Sequence, residues 1–204
     1  MAVVALQRAL LSAATSFSIL QVRPQPVSLA EEEGRYGSLY AALTGDAHED
    51  DTVYPLAVEL IYEGYLLHYR QGRVASPGES PRSGLLAGDY LYARGLRLIA
   101  SQGDVAGVEL LTSLMAVCSY FRSESLSFSY DDDVWAFTVA GLAALRQGCP
   151  GEPPAATFAR VERAIATGAV AVVPRLVREG AAALHLRDAH PLEAHLSGFV
   201  AGAA

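Results

Sequence analysis

A chain of 204 residues suffices for one large domain with a single core, and 51% hydrophobic against 18% charged residues excludes a disordered chain. A formal charge of −7 and a pI near 5.2 argue against a nucleic-acid partner, which needs a basic face. All 15 basic residues are arginine, which excludes Schiff-base chemistry on lysine and a P-loop lysine.

The N-terminal stretch Val3 to Gln21 predicts an amphipathic helix rather than a signal peptide, since it lacks a basic start and Arg8 interrupts it. Pro24 and Pro26 stop it. Ser28 before Glu31, Glu32 and Glu33 predicts a capped helix start running to about Leu43. Asp46 to Asp51 reads as an acidic connector, and Thr52 to Tyr69 as a long helix. Gln71 to Gly84, rich in Gly, Pro and Ser, predicts a loop. Helices follow over Leu85 to Ala100, Val105 to Phe121 and Asp131 to Arg146, the last capped within Ser129 to Asp132. After a break at Gly148 to Pro154 come Ala155 to Thr167, Ala169 to Leu184 with Pro174 delaying its start, and a short helix at Pro191 to Phe199. With no alternating strand pattern, the fold class is all-α: about eight to ten helices in one bundle, packed by apolar stripes. No stretch holds the roughly 18 uninterrupted apolar residues of a membrane span.

Several charged or reactive residues have ordinary explanations. Asp131, Asp132 and Asp133 precede Val134 and Trp135, with no further carboxylate at a metal-binding spacing, and read as helix-start acids. Trp135 and Phe137 read as core or interface aromatics. Asp46, His48, Glu49, Asp50 and Asp51 match neither a calcium loop nor a zinc motif and read as a solvated loop. His185, His190 and His195 are spaced by five, which does not stack on one helical face. The isolated Cys118 and Cys149 read as a buried small hydrophobe and a turn residue, consistent with a reducing cytoplasm.

One stretch carries more. Val58-Glu59-Leu60-Ile61, Leu66 and His68, followed after a loop by Leu86-Ala87-Gly88-Asp89-Tyr90-Leu91, resemble the N-terminal core of the trans-polyprenyl (isoprenyl) diphosphate synthase family. The resemblance is moderate over about Glu31 to Ser119 and sharpest over Val58 to Arg97. It implies an isoprenoid-synthase-type helical domain over residues 1–204, shorter than a complete catalytic member. In that family D-D-x-x-D follows the first helix, and its aspartates hold the magnesium that binds the leaving diphosphate. Here those positions read Tyr69-Arg70-Gln71-Gly72-Arg73, and no second aspartate-rich motif follows. Magnesium needs oxygen ligands. Tyrosine is neutral near pH 7 and arginine offers no lone pair. Tyr69, Arg70 and Arg73 therefore form a degenerate motif without metal, and no catalytic residue or cofactor is assigned; magnesium is expected only in a catalytic partner. By the same resemblance Gly64 and Tyr65 are candidates for the floor of a hydrophobic tunnel, with helix packing the equal alternative. Gly88 and Asp89 read as a helix start.

Three functional readings follow. The first is a non-catalytic or regulatory subunit, a pseudoenzyme in isoprenoid biosynthesis. It is inactive alone and paired with a catalytic prenyl diphosphate synthase subunit in a heterodimer, or with itself in a homodimer. The second is a divergent prenyltransferase or terpenoid enzyme in which Arg70, Arg73, Arg82 and Arg94 grip an isoprenoid diphosphate through forked donors. The third is a helical protein binding an isoprenoid or other lipid.

Overall fold

In a computed structural model of the chain, residues 8–13, 21–22, 35–45, 52–76 and 81–198 are described below. Eight α-helices occur among them: α1 (residues 8–13), α2 (Arg35–Thr44), α3 (Val53–Tyr69), α4 (Pro81–Ser101), α5 (Val105–Ser123), α6 (Phe128–Gln147), α7 (Pro154–Ala166) and α8 (Val173–Ala183). Strand β1 (Gln21–Val22) pairs antiparallel with β2 (Ala75–Ser76), Gln21 opposite Ser76 and Val22 opposite Ala75. The fold class is thus all-α, as the periodicity predicts. The minimal ribbon was not foreseen, and it takes Gln21 out of the expected first helix. The acids Glu31 to Glu33 with Ser28, and the connector Asp46 to Asp51, lie outside the described residues.

The helices group into two compact units: residues 1–38 with 48–104, and 39–47 with 105–204. In the first, α3 packs along α4. The crossing is close where Gly64, Gly88 and Gly95 meet the facing helix. A Cβ on Gly64 would lie 2.8 Å from the Gly88 carbonyl oxygen, and one on Gly95 would lie 2.5 Å from Ile61 Cγ1 and 2.7 Å from the Ala57 carbonyl oxygen. Leu60, Leu67, Val74, Ala87 and Leu91 bury themselves against Leu10 and Ala13 of α1.

Helix α4 begins seven residues before Gly88. The predicted start at Gly88-Asp89 is therefore wrong, and so is the loop assignment of its first turn. Proline's fixed φ suits a first helical turn, so Pro81 opens the helix where composition suggested a loop. Gly88 lies mid-helix, at the α3 crossing.

In the second unit α5 packs on α6, α6 on α8 and α7 on α8. Helix α6 starts three residues earlier than predicted. Ser127, not the Ser129–Asp132 segment, is its N-cap and accepts a hydrogen bond from the Ser129 N–H. It ends at Gly148, whose φ of 60° is the left-handed cap that glycine adopts without strain. Pro174 lies in the first turn of α8, which a 3-10 turn over Val170–Val172 precedes. The expected last helix is a 3-10 segment, His190–Ala194. By length and composition α5 is apolar enough to cross a membrane; its buried face, including Leu110, Leu111, Leu114 and Phe121, is equally that of a core helix.

Gly95→Ala forces a methyl group against the backbone of α3. It is expected to lower the unfolding free energy by about 1–3 kcal/mol, the usual cost of overpacking, in urea denaturation. An unchanged midpoint would contradict the close crossing.

Candidate functional site

Helix α3 is apolar along most of its length, yet Glu59 and Glu63 sit one turn apart on the same face. Both are buried, at 1% and 0% exposure. Buried carboxylates need partners, because desolvating an unpaired charge costs several kcal/mol. The partner is Arg73, itself 4% exposed. Its Nη2 donates to Glu59 Oε2 at 2.6 Å and its Nε to Glu63 Oε2 at 3.2 Å. The other two carboxylate oxygens take backbone donors. Glu59 Oε1 accepts from Tyr36 N at 3.1 Å and Gly37 N at 2.6 Å. Glu63 Oε1 accepts from Val74 N at 2.9 Å and Ala75 N at 3.1 Å.

Local sequence brings Arg73 there. Helix α3 ends as the Arg70 N–H bonds to the Leu66 carbonyl at 2.8 Å. The chain then doubles back through Gly72, where a Cβ would lie 2.8 Å from Glu63 Oε1 and 2.5 Å from the Ala75 carbonyl oxygen. The guanidinium lies 4.7 Å from the Tyr62 ring centroid, a cation–π distance. Tyr62 in turn meets Tyr36 edge-on at 4.8 Å. Burial pushes the Arg73 guanidinium down, but Glu59, then Glu63, outweigh burial and its pKa is raised. Glu59 also sits at the first-turn N–H groups of α2, where the helix dipole favours an anion.

Arg73 is buried, and its Nε and Nη2 are turned inward onto two glutamates rather than toward a diphosphate in solution. The other candidates do not gather around it. Arg70 is exposed at the end of α3, Arg82 is exposed in the first turn of α4, and Arg94 donates to the Tyr90 hydroxyl at 2.8 Å. Twelve helical residues place Arg82 and Arg94 about 18 Å apart along the axis. Tyr69 is half-buried with its ring 5.4 Å from Tyr65. Gly64 lies at the α4 crossing, and Tyr65 is buried and stacked on Tyr62 at 6.0 Å. Asp89 is exposed, 3.4 Å from His68 Nε2, which also lies 3.0 Å from the Leu85 carbonyl oxygen. Among the described residues no three His, Cys, Asp or Glu side chains form a metal-binding group. The residues missed at sequence level are Glu59, as a buried charge, and Glu63. Their signal was available: two acids four apart in an otherwise apolar helix.

The Asp131–Asp133 run also differs from a solvated helix start. Asp131 is buried and accepts from Arg122 Nη2 at 2.6 Å, and Asp133 Oδ1 accepts from Ser197 N at 2.9 Å. Cys118 is buried, as expected; burial raises its thiol pKa, with Asp131 adding to the effect. Trp135 and Phe137 are core residues, and His185 and His190 are exposed.

Arg73→Met leaves the two carboxylates buried without their cation. Stability at pH 7 is expected to fall by about 3–5 kcal/mol in urea denaturation. A loss below about 1 kcal/mol, typical of an exposed pair, would contradict the assignment.

Burial raises the pKa of Asp133, and the Ser197 N–H offsets this only in part. A carboxyl whose folded pKa lies above its unfolded value weakens the fold when ionised, and the fold recovers as pH falls through that pKa. Asp133→Asn keeps the acceptor oxygen and removes the titration. Its stability relative to wild type should be most favourable at pH 7 and decline toward pH 4 in parallel denaturations; a pH-independent difference would refute this.

No family model, curated protein or solved structure matches this chain.

Proposed function

We propose that this chain is a non-catalytic subunit of a heteromeric polyprenyl diphosphate synthase. The observation that carries the reading is the fate of the position matching the last aspartate of the family's first metal motif. Arg73 occupies it, and its guanidinium is buried between Glu59 and Glu63. A carboxylate there would present lone pairs to magnesium. An arginine is a permanent cation without one, and in this chain it neutralises carboxylates of its own interior. The position has passed from holding a catalytic cation to being a structural one.

On this reading, α3 and α4 keep the scaffold of a prenyl synthase core and the chemistry belongs to a partner that carries both aspartate motifs. A subunit that binds only the folded partner stabilises it by mass action. The divergent-enzyme reading is weaker, because it needs arginines converging on one diphosphate. Arg73 is committed elsewhere, and Arg82 and Arg94 are far apart on one helix.

The test uses the purified chain, magnesium, isopentenyl diphosphate and an allylic diphosphate. The chain alone is expected to give no elongated product. Co-expressed with a full-length synthase from the same genome, it is expected to co-purify and to change that enzyme's product length or rate. Elongation by the chain alone would overturn the proposal.

A further inference from the structure

We propose that the side of α4 between Tyr90 and Ser101 is a binding groove for a long-chain carboxylate, in which Arg94 and Arg97 hold the head group and Tyr90, Ala93 and Leu98 receive the alkyl chain. The inference does not rest on the reading above. Tyr90, Ala93, Arg94, Arg97, Leu98 and Ser101 line a recess of about 620 Å³, within the range that takes small molecules. Their spacing of three and four puts all six on one side of the helix. The recess follows α4 for about 16 Å, room for a medium-length alkyl chain. Tyr90 and Leu98 are half-buried and pack against the cluster of Leu10, Ala13, Leu60 and Leu91. The floor of the recess is thus apolar and backed by core.

The charge at this recess runs against that of the chain. The protein carries −7 overall, yet the charged residues from Tyr90 to Ser101 are Arg94 and Arg97 alone. Three residues apart, they are neighbours on the helix surface. The nearest acids along the chain are engaged elsewhere. Asp89 lies 3.4 Å from His68 Nε2, and Asp104 accepts from the Tyr54 hydroxyl at 3.0 Å. Arg94 Nη1 donates to the Tyr90 hydroxyl at 2.8 Å, which fixes its guanidinium beside the recess. Arg97 is exposed and makes no hydrogen bond or ion pair among the described residues.

These features select the ligand. A guanidinium fork matches the two oxygens of a carboxylate. A diphosphate brings more negative charge than two guanidiniums balance. The apolar floor beside the cations requires an apolar body on the same molecule. A fatty-acid anion meets both requirements, whereas free phosphate or a short carboxylate meets only the first.

The test is isothermal titration calorimetry of the whole chain with dodecanoate below its micelle concentration, with circular dichroism to verify folding. Saturable binding of one dodecanoate per chain is expected. Arg94→Gln and Arg97→Gln should each weaken it by about tenfold or more, the loss of a charge-assisted hydrogen bond. Arg82→Gln removes an exposed arginine of the same helix outside the recess and should change the affinity by less than about twofold. Ala93→Trp keeps both arginines but fills the recess, and should also weaken binding by about tenfold or more. Acetate, which has the head without the chain, should bind at least about tenfold more weakly than dodecanoate. No saturable binding, an affinity indifferent to Arg97→Gln or to Ala93→Trp, an equal loss in Arg82→Gln, or tighter binding of inorganic diphosphate than of dodecanoate would overturn the proposal.

Discussion

Two carboxylates buried one turn apart on α3 impose the constraint around which the first unit is organised. Neither can reach water, so each oxygen must find a donor inside the chain. The donors come from three directions: the first turn of α2, the guanidinium of Arg73, and the backbone of Val74 and Ala75. The cluster thereby ties the start of one helix, the middle of a second and the returning loop to one another. The loop cannot drift from α3 without stranding Glu63, and α2 cannot leave without stranding Glu59. The ribbon β1–β2 follows as a consequence, because Ala75 is held by Glu63 at the point where it also opposes Val22. Replacing such a cluster with apolar residues can be neutral, whereas removing one partner is costly. The cluster therefore specifies where the loop goes more than it adds net stability.

Apolar periodicity carried most of the fold. The extent of α3, the glycine-terminated end of α6 and the proline-delayed start of α8 all follow from local propensity and capping chemistry, which tertiary packing did not override. The failures share one cause: a residue's type states its chemistry but not the direction it faces. Gly88 suits a helix start and a tight helix crossing equally well, and only the approach of Gly64 decides between them. The Asp131–Asp133 run suits an exposed first turn, but the true cap at Ser127 sets it deeper in α6, where Arg122 and Ser197 claim two of its members. Arg73 suits phosphate as well as carboxylate. What decides is Gly72, which lets the chain turn inward, and the unmatched acids already waiting on α3. An acid pair four apart in an apolar helix demands a cation nearby in space, and the returning loop supplies it as Arg73.

The same economy shapes α4. Gly88 and Gly95 on its inner face let α3 lie close beside the buried Leu91 and Ile99, and its outer face mixes charge with small and branched apolar residues. On the proposed function, the inner one preserves a scaffold resembling a prenyl synthase core. On that same reading, the position that would hold metal in that family is occupied here by the internal cation Arg73, paired with Glu59 and Glu63.

The most direct measurement of that exchange is the nitrogen-15 NMR signal of the Arg73 Nε–H in the intact chain. A guanidinium enclosed by Glu59 and Glu63 exchanges its Nε proton with water slowly, as the amides of Tyr36, Gly37, Val74 and Ala75 do, and its signal does not move when magnesium and diphosphate are added. A rapidly exchanging Arg73 whose resonance shifts with diphosphate would contradict the account.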